Sequence, residues 1–383
     1  QPFLGSKIDM KITCEREPLL SAFQTAAMVA PTRSPKPILQ RVKLEVTPES
    51  AVMMATDMDT GIRLEVSGIE VDSPGAAVLP VDRFGLILRE SSDEKLRLES
   101  VEAGIVVKGE RSEFKVPSEN PDEFPRVVSF GETKYHTLPS KLMRELIRRT
   151  IFATDTESSR YALGGVLLEF EADRITAVGT DGRRLSKMEG AAQSVEGHLS
   201  GDTMTIIPTR SMQLLERSLS DDDSEIHIAA RANDVLIQSP RATIYSRLVE
   251  GRFPKWREVF PQRRDAQKID IVVGPIYSAL RQAAIMTNAD SRGIDFHFKN
   301  GNLTMVASTA DRGESHVELP IAYEGPEVVV TMDHRYVADF LRVLDPDRTF
   351  TLEIEDADSP ALFTTDDGFG YVVMPLARER GRK

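Results

Sequence analysis

One pattern occurs three times along this chain, and that repetition limits the possible folds more than any other feature. The middle copy reads GVLLEF (Gly165–Phe170), a polar turn, then ITAVGTDGRRL. The first reads RVKLEV (Arg41–Val46), TPES, then AVMMATDMDTGIRLEV; the third reads GIDFHF (293–298), KNGN, then LTMVASTADRGESHVEL. Period-two alternation broken by turn residues predicts strand, turn, strand, a Thr/Asp-bearing turn and a further strand in each. Leu44, Leu168 and Phe296 are equivalent, spaced 124 and 128 residues apart. That period is too long for a solenoid unit, so each copy is expected to be a domain.

Helical patterns flank each strand set. Upstream they cover 19–30, 141–152 and 276–286; downstream they cover 81–89, 210–219 and 334–344. Pro80 and Pro208 stand just before two of them, where proline suits a helix start. The predicted fold class is α+β, with helices on one face of antiparallel sheets. Domain borders are expected near Pro125 and Pro254, giving domains at 10–130, 131–262 and 263–376. Residues 1–9 read as a tag or disordered extension, with Met10 as the expected start, and 377–383 as a basic tail.

The repeat makes the backbone of TDGRR architectural, since TDMDT and TADRG occupy the same place. Its two arginines belong to the middle copy alone. Positive charge is concentrated elsewhere too. In 141–152, Met143, Leu146, Ile147 and Ile151 share one helical face, while Lys141, Arg144, Arg148 and Arg149 are expected opposite. Met212, Leu215 and Leu219 likewise oppose Arg210 and Arg217. Val337, Phe340, Leu341 and Leu344 oppose Arg335 and Arg342. Each copy offers cations seven residues apart. The six helical segments carry a net +7 within a chain of −12, leaving −19 elsewhere. One basic helix face is an ordinary solvated face. Three with matched spacing point to a surface that meets a polyanion. No aromatic residues interleave, and no helix-turn-helix or zinc finger occurs, so phosphates would be bound without base reading.

These features resemble the bacterial DNA sliding clamps, the beta subunits of DNA polymerase III. The resemblance runs from Met10 to about Leu376 and is carried by TDGRRL (180–185), VEGRFPKW (249–256) and YVVMPL (371–376). It implies three clamp domains per chain and a head-to-tail homodimer closing as a six-domain ring around double-stranded DNA. Implied partners are a clamp loader, the replicative polymerase alpha subunit and other clamp-motif proteins. The family's peptide pocket transfers to Leu163, Thr180, Gly182, Arg183, Arg184, Leu185, Pro254, Val259, Val372, Met374, Pro375 and Leu376. The apolar members would form a cleft framed by the arginine pair. The competing reading of VVMP is an edge strand. Glu258 stands where many members have arginine, with Arg257 as the neighbouring substitute. DNA contacts implied alongside the helix cations Lys141, Arg144, Arg148, Arg210, Arg217, Arg335 and Arg342 are Arg33, with Lys36, and Arg160 and Tyr161. Phe114, Ile285 and Met286 match dimer-interface positions.

Other classes find little support. GTDG lacks phosphate-loop spacing, no GxSxG elbow occurs, and the histidines have no metal-ligand spacing. A hydrolase using Asp181 would need a desolvated cleft and a partner, whereas Asp181 lies in a repeated turn. No catalytic residue, cofactor or metal is therefore expected. A scaffold that binds proteins without encircling DNA is the alternative. No run comes near the roughly 18 apolar residues of a membrane span, and the start lacks a secretory pattern. The one cysteine, Cys14, fits a reducing cytoplasm, with nucleoid association following from DNA binding.

Overall fold

A computed structural model describes residues 10–101, 104–155, 157, 162–201, 203–261 and 266–377. Its helices are α1 (Arg16–Ala27), α2 (Val81–Glu90), α3 (Ser140–Arg148), α4 (Thr209–Ser218), α5 (Trp256–Val259), α6 (Val273–Ala283) and α7 (His334–Arg342). Apart from the single-turn α5, they fall two to a copy, as the periodicity predicts. Boundaries differ in detail. Pro80 and Pro208 sit at N-caps rather than inside the first turn. α6 begins earlier than Ile276, because Gly274 and Pro275 lie in its first turn, where a missing N–H costs nothing. Its expected last residues, Ala284–Met286, form a 3-10 turn instead.

The described strands pair antiparallel, and two sheets run across the boundaries between copies. Ala242–Arg247 of the middle copy pairs with Thr60–Glu65 of the first, with Ile244 opposite Ile62. Arg184–Ala191 of the middle copy pairs with Phe369–Val373 of the third, with Leu185 opposite Val372. The chain accordingly forms two compact units, one from 1–141 with 193–248 and the other from 142–192 with 249–383. The middle copy is thus divided between two units, which a repeat read from sequence does not reveal.

In the first unit, α1 packs on α2, with Phe23 and Phe84 edge to face at 4.9 Å between centroids. One of its sheets is ordered Ile69–Ser73, Lys11–Glu15, Lys95–Val101, Gly104–Lys108, Glu113–Val116, so the last strand is an open edge. Cys14 is buried here, and burial pushes its thiol up to about 12, so it is inert at neutral pH. In the second unit Phe340 of α7 is fully buried among Phe350, Phe363, Phe369 and Tyr371, at 5.1–5.5 Å between ring centroids. Full burial of such a ring contributes about 2–3 kcal/mol. This cluster fixes α7 against Phe369–Val373. A four-stranded sheet, Gly313–Pro320, Asn302–Thr309, Gly293–Lys299, Val328–Asp333, leaves Gly313–Pro320 as an open edge.

Candidate functional site

The TDGRR turn is held by its own side chains. Thr180 Oγ1 accepts from the Gly182 N–H at 3.1 Å and donates to the Arg184 carbonyl at 2.6 Å. Asp181 Oδ1 accepts from the N–H groups of Arg183 and Arg184 at 2.9 and 3.0 Å. The first copy repeats this geometry: Thr56 Oγ1 caps Met58 N–H and the Thr60 carbonyl, and Asp57 Oδ1 caps Asp59 and Thr60. Gly182 has φ of 86° and Met58 has φ of 82°, so glycine relieves strain that the first copy tolerates. Asp181 is a turn former with its oxygens occupied. The third copy has Ala310 in the aspartate's place and lacks this cap.

Arg184 departs from the role of a free frame. Its side chain is 10% exposed, with Nε on Asp181 Oδ2 at 3.0 Å and Nη1 on Asp339 Oδ2 at 2.6 Å. Nη2 donates to the Phe152 carbonyl at 2.6 Å, and the guanidinium lies 4.4 Å from the Tyr336 ring centroid. Burial pulls this group down, but Tyr371, Asp339 and Asp181 outweigh it and hold it above the usual arginine range. Arg184 therefore supports the turn from beneath, whereas its neighbour Arg183 is exposed.

Of the predicted pocket residues, the C-terminal strand end meets the turn directly. The Met374 N–H donates to the Arg183 carbonyl at 3.0 Å, and the Leu376 N–H to the Thr331 carbonyl at 2.8 Å. Leu163, Thr180, Leu185 and Val372 are buried. Val259 is 41%, Met374 40% and Leu376 37% exposed. Pro254 and Pro375 are half-buried, and Gly182 is exposed. Phe369–Val373 lies between Arg184–Ala191 and Ala361–Thr364: it is the edge strand of the third copy, as the competing reading of VVMP has it, and it is interior to the sheet only because the middle copy pairs with that edge. Phe260, just after α5, is seated where a side chain on Gly370 would be, 2.5 Å from that position. Arg257 does not stand free for the missing arginine. It is tied to Glu169 at 2.7 Å and stacked on Trp256 at 4.3 Å, while Glu258 pairs with Lys255.

The helix cations separate into classes that helical periodicity did not distinguish. Lys141 and Arg33 are exposed and Arg144 half-buried, with no acid partner among the described residues. Lys36 is likewise exposed. Arg148 is 45% exposed on its own helix's Glu145 at 3.3 Å. Arg149 is a correction: it is 6% exposed, ion-paired at 2.7 Å with Glu145 and with Asp367, and faces Phe369 rather than solvent. It follows the last helical residue, so its direction departs from the regular wheel. Arg210 donates to the Met28 carbonyl at 2.6 Å, capping the end of α1, and Arg217 reaches Gln24 at 3.4 Å. Arg335 pairs with Asp333 at 2.6 Å and Arg342 with Asp339 at 3.0 Å; each remains substantially exposed, at 44% and 64%. The hydrogen bonds Arg335 donates to Asp333, and Arg342 donates to Tyr277, hold both guanidiniums above the usual arginine range, so both stay charged.

Sequence reading missed Arg281. It lies on α6 with no acid partner among the described residues and shares with Arg335, Arg342, Tyr277 and Tyr336 a cleft of about 890 Å³. The spacing rule sought pairs seven residues apart, and Arg281 is the one charge on its helix. Arg160 and Tyr161 lie outside the described residues, as does 378–383. Phe114 is 38% exposed on the open edge strand Glu113–Val116, and Ile285 is 64% exposed with Met286 half-buried beside it. No cluster of three or more metal-ligating side chains occurs among the described residues. No described helix is long and apolar enough to cross a membrane.

Three family models tile the chain: the DNA polymerase III beta subunit N-terminal domain at 10–128, the central domain at 137–255 and the C-terminal domain at 257–377. The beta sliding clamp of Escherichia coli K12 is 28% identical over 379 residues, covering 96% of this chain and 100% of the relative. That of Pseudomonas putida KT2440 is 29% identical over 376 residues, with the same coverage of each. Among solved structures, a DNA polymerase III beta sliding clamp from Pseudomonas aeruginosa, bound to griselimycin, superimposes with a TM-score of 0.88 at 27% identity, over 96% of this chain and 100% of that one. The Bacillus subtilis clamp shares the fold at 21% identity, with a TM-score of 0.87 and coverage of 96% and 99%. With three tandem clamp domains matched in order and relatives aligned along their full length, the chain belongs to the bacterial DNA polymerase III beta subunit family.

Proposed function

We propose that this protein is a DNA sliding clamp. Two copies close head to tail into a six-domain ring that encircles duplex DNA without reading its sequence. A clamp loader opens the ring. The replicative polymerase alpha subunit and other clamp-motif proteins dock through the cleft beside Thr180–Arg184 and Met374–Leu376, which confers processivity. The role is non-catalytic and belongs in the cytoplasm, at the nucleoid. The domain limits of this reading are 10–130, 131–262 and 263–376.

The observation that carries it is the ordered match of all three domains over 10–377, among relatives named beta sliding clamps. That supports the ring over a scaffold that leaves DNA free. Exposed arginine and lysine on helices supply sequence-independent attraction to phosphate, while the −12 net charge keeps DNA off other surfaces. Ring closure is supported by two open sheet edges. Glu113–Val116 carries exposed Phe114, and Gly313–Pro320 lies near exposed Ile285. Unpaired strands with adjacent apolar groups are natural pairing surfaces. Light scattering on the eluting protein tests closure. The expected particle has about twice the 42.6 kDa chain mass, and Phe114→Asp shifts it to the monomer. A wild-type monomer at micromolar concentration contradicts the reading.

A further inference from the structure

A single carboxylate joins the exposed face of α7 to the turn under the pocket. Arg342, 64% exposed, donates through Nη1 to Asp339 Oδ1 at 3.0 Å. The other oxygen, Oδ2, accepts from Arg184 Nη1 at 2.6 Å. Arg184 Nε continues to Asp181 Oδ2 at 3.0 Å, and Asp181 Oδ1 holds the N–H groups of Arg183 and Arg184. The Arg183 carbonyl then takes the Met374 N–H at 3.0 Å. This path runs from a cation on a helix surface to the backbone N–H of Met374, with a hydrogen bond linking each residue to the next.

The two guanidiniums that share Asp339 are not equally free. Arg184 is packed against Tyr336 and fixed to Asp181 and the Phe152 carbonyl, so it stays in place. Arg342 is a long, exposed side chain held by Asp339 and Tyr277, and Arg281, with no acid partner among the described residues, lines the same cleft, as do Asp155 and Glu157. A phosphate entering beside Arg281 competes with Asp339 for Arg342. Asp339 is only 22% exposed, so water screens its charge incompletely. Once released by Arg342, that charge acts on Arg184 alone, which tightens Arg184 against the turn and steadies the Arg183–Met374 contact.

We propose that Asp339 couples phosphate binding on α7 to peptide binding at the cleft, so that a ring on DNA holds its clients more tightly. The inference rests on the pocket and DNA face proposed above. Linkage makes the coupling reciprocal: bound peptide must favour phosphate at Arg342 to the same degree.

The test measures anisotropy of a fluorescein-labelled peptide carrying the polymerase alpha subunit's clamp-binding segment. It is titrated with wild type, Asp339→Asn and Arg342→Gln, with and without a saturating non-specific duplex at low salt. Wild type is expected to bind the peptide about fivefold more tightly with duplex present, at the lower end of typical couplings. Asp339→Asn stays at the weaker affinity in both conditions. Arg342→Gln, on the exposed face and so safe for folding, leaves Asp339 to Arg184 permanently. It shows the tighter affinity without duplex and gains nothing on its addition. A merely structural role for Arg342 does not produce that gain. Wild type that binds both ligands independently overturns the coupling, as does Arg342→Gln that still responds to duplex. Wild type that binds neither ligand overturns the functional reading, and the coupling with it.

Discussion

Met374 and Pro375 protrude beside a turn that is otherwise locked by its own hydrogen bonds, so they are the residues to remove first. Replacing both with alanine should weaken client-peptide binding at least tenfold in anisotropy while the dimer elutes unchanged, since neither belongs to the buried core. Arg149 is the opposite case. Arg149→Leu removes the buried cation between Glu145 and Asp367, leaving Glu145 to Arg148 and Asp367 to Arg348, and should cost about 2 kcal/mol in urea unfolding, below the full value for a buried pair because both acids are partly solvated and keep a second partner. A third residue sets a pH dependence. His198 Nε2 takes the Ala230 N–H at 3.1 Å, and its Nδ1 meets buried His136 Nδ1 at 2.7 Å. Burial, then the proximity of His136, holds His198 below the usual histidine range. The unfolded chain therefore binds a proton that the folded one refuses. Stability is complete above the unfolded pKa of about 6.5 and falls as pH drops below it. The urea midpoint should decline between pH 7.5 and 5.5, and less so in His198→Gln; equal declines would assign the effect elsewhere.

At the scale of elements, periodicity was enough to place the paired helices and the strands of each repeat. Alternation in RVKLEV, GVLLEF and GIDFHF corresponds to strands with buried Leu44, Leu168 and Phe296. Contacts between copies were not legible. Nothing local in the sequence indicates that Arg210 caps α1 or that Arg149 turns inward to Asp367, because each partner lies more than 180 residues away. The arginine pair of TDGRR was legible as unusual, but its division into exposed Arg183 and buried Arg184 depends on Asp339 from another copy. Gly179 exposes a similar long-range demand. A Cβ there would lie 2.2 Å from the Thr150 carbonyl oxygen, a backbone atom that cannot move cheaply. Gly179→Ala should therefore cost about 2–3 kcal/mol and lower the thermal midpoint, whereas Gly182→Ala, with open space around its Cβ, pays only for its positive φ.

For the whole molecule, repetition resolves the contrast between an acidic chain and basic helices. Three copies of one domain can each direct cations from their helices while acidic residues dominate elsewhere. In the proposed ring, enclosure rather than affinity retains DNA, so individual phosphate contacts can stay weak and the protein can slide. The most direct test of that claim loads the protein on nicked circular DNA with a clamp loader and follows retention by gel filtration. It is then repeated after a restriction enzyme cuts the circle. Encirclement predicts stable retention on the circle and rapid loss from the linear product. Equal retention on the two forms, or equal loss from them, would contradict it.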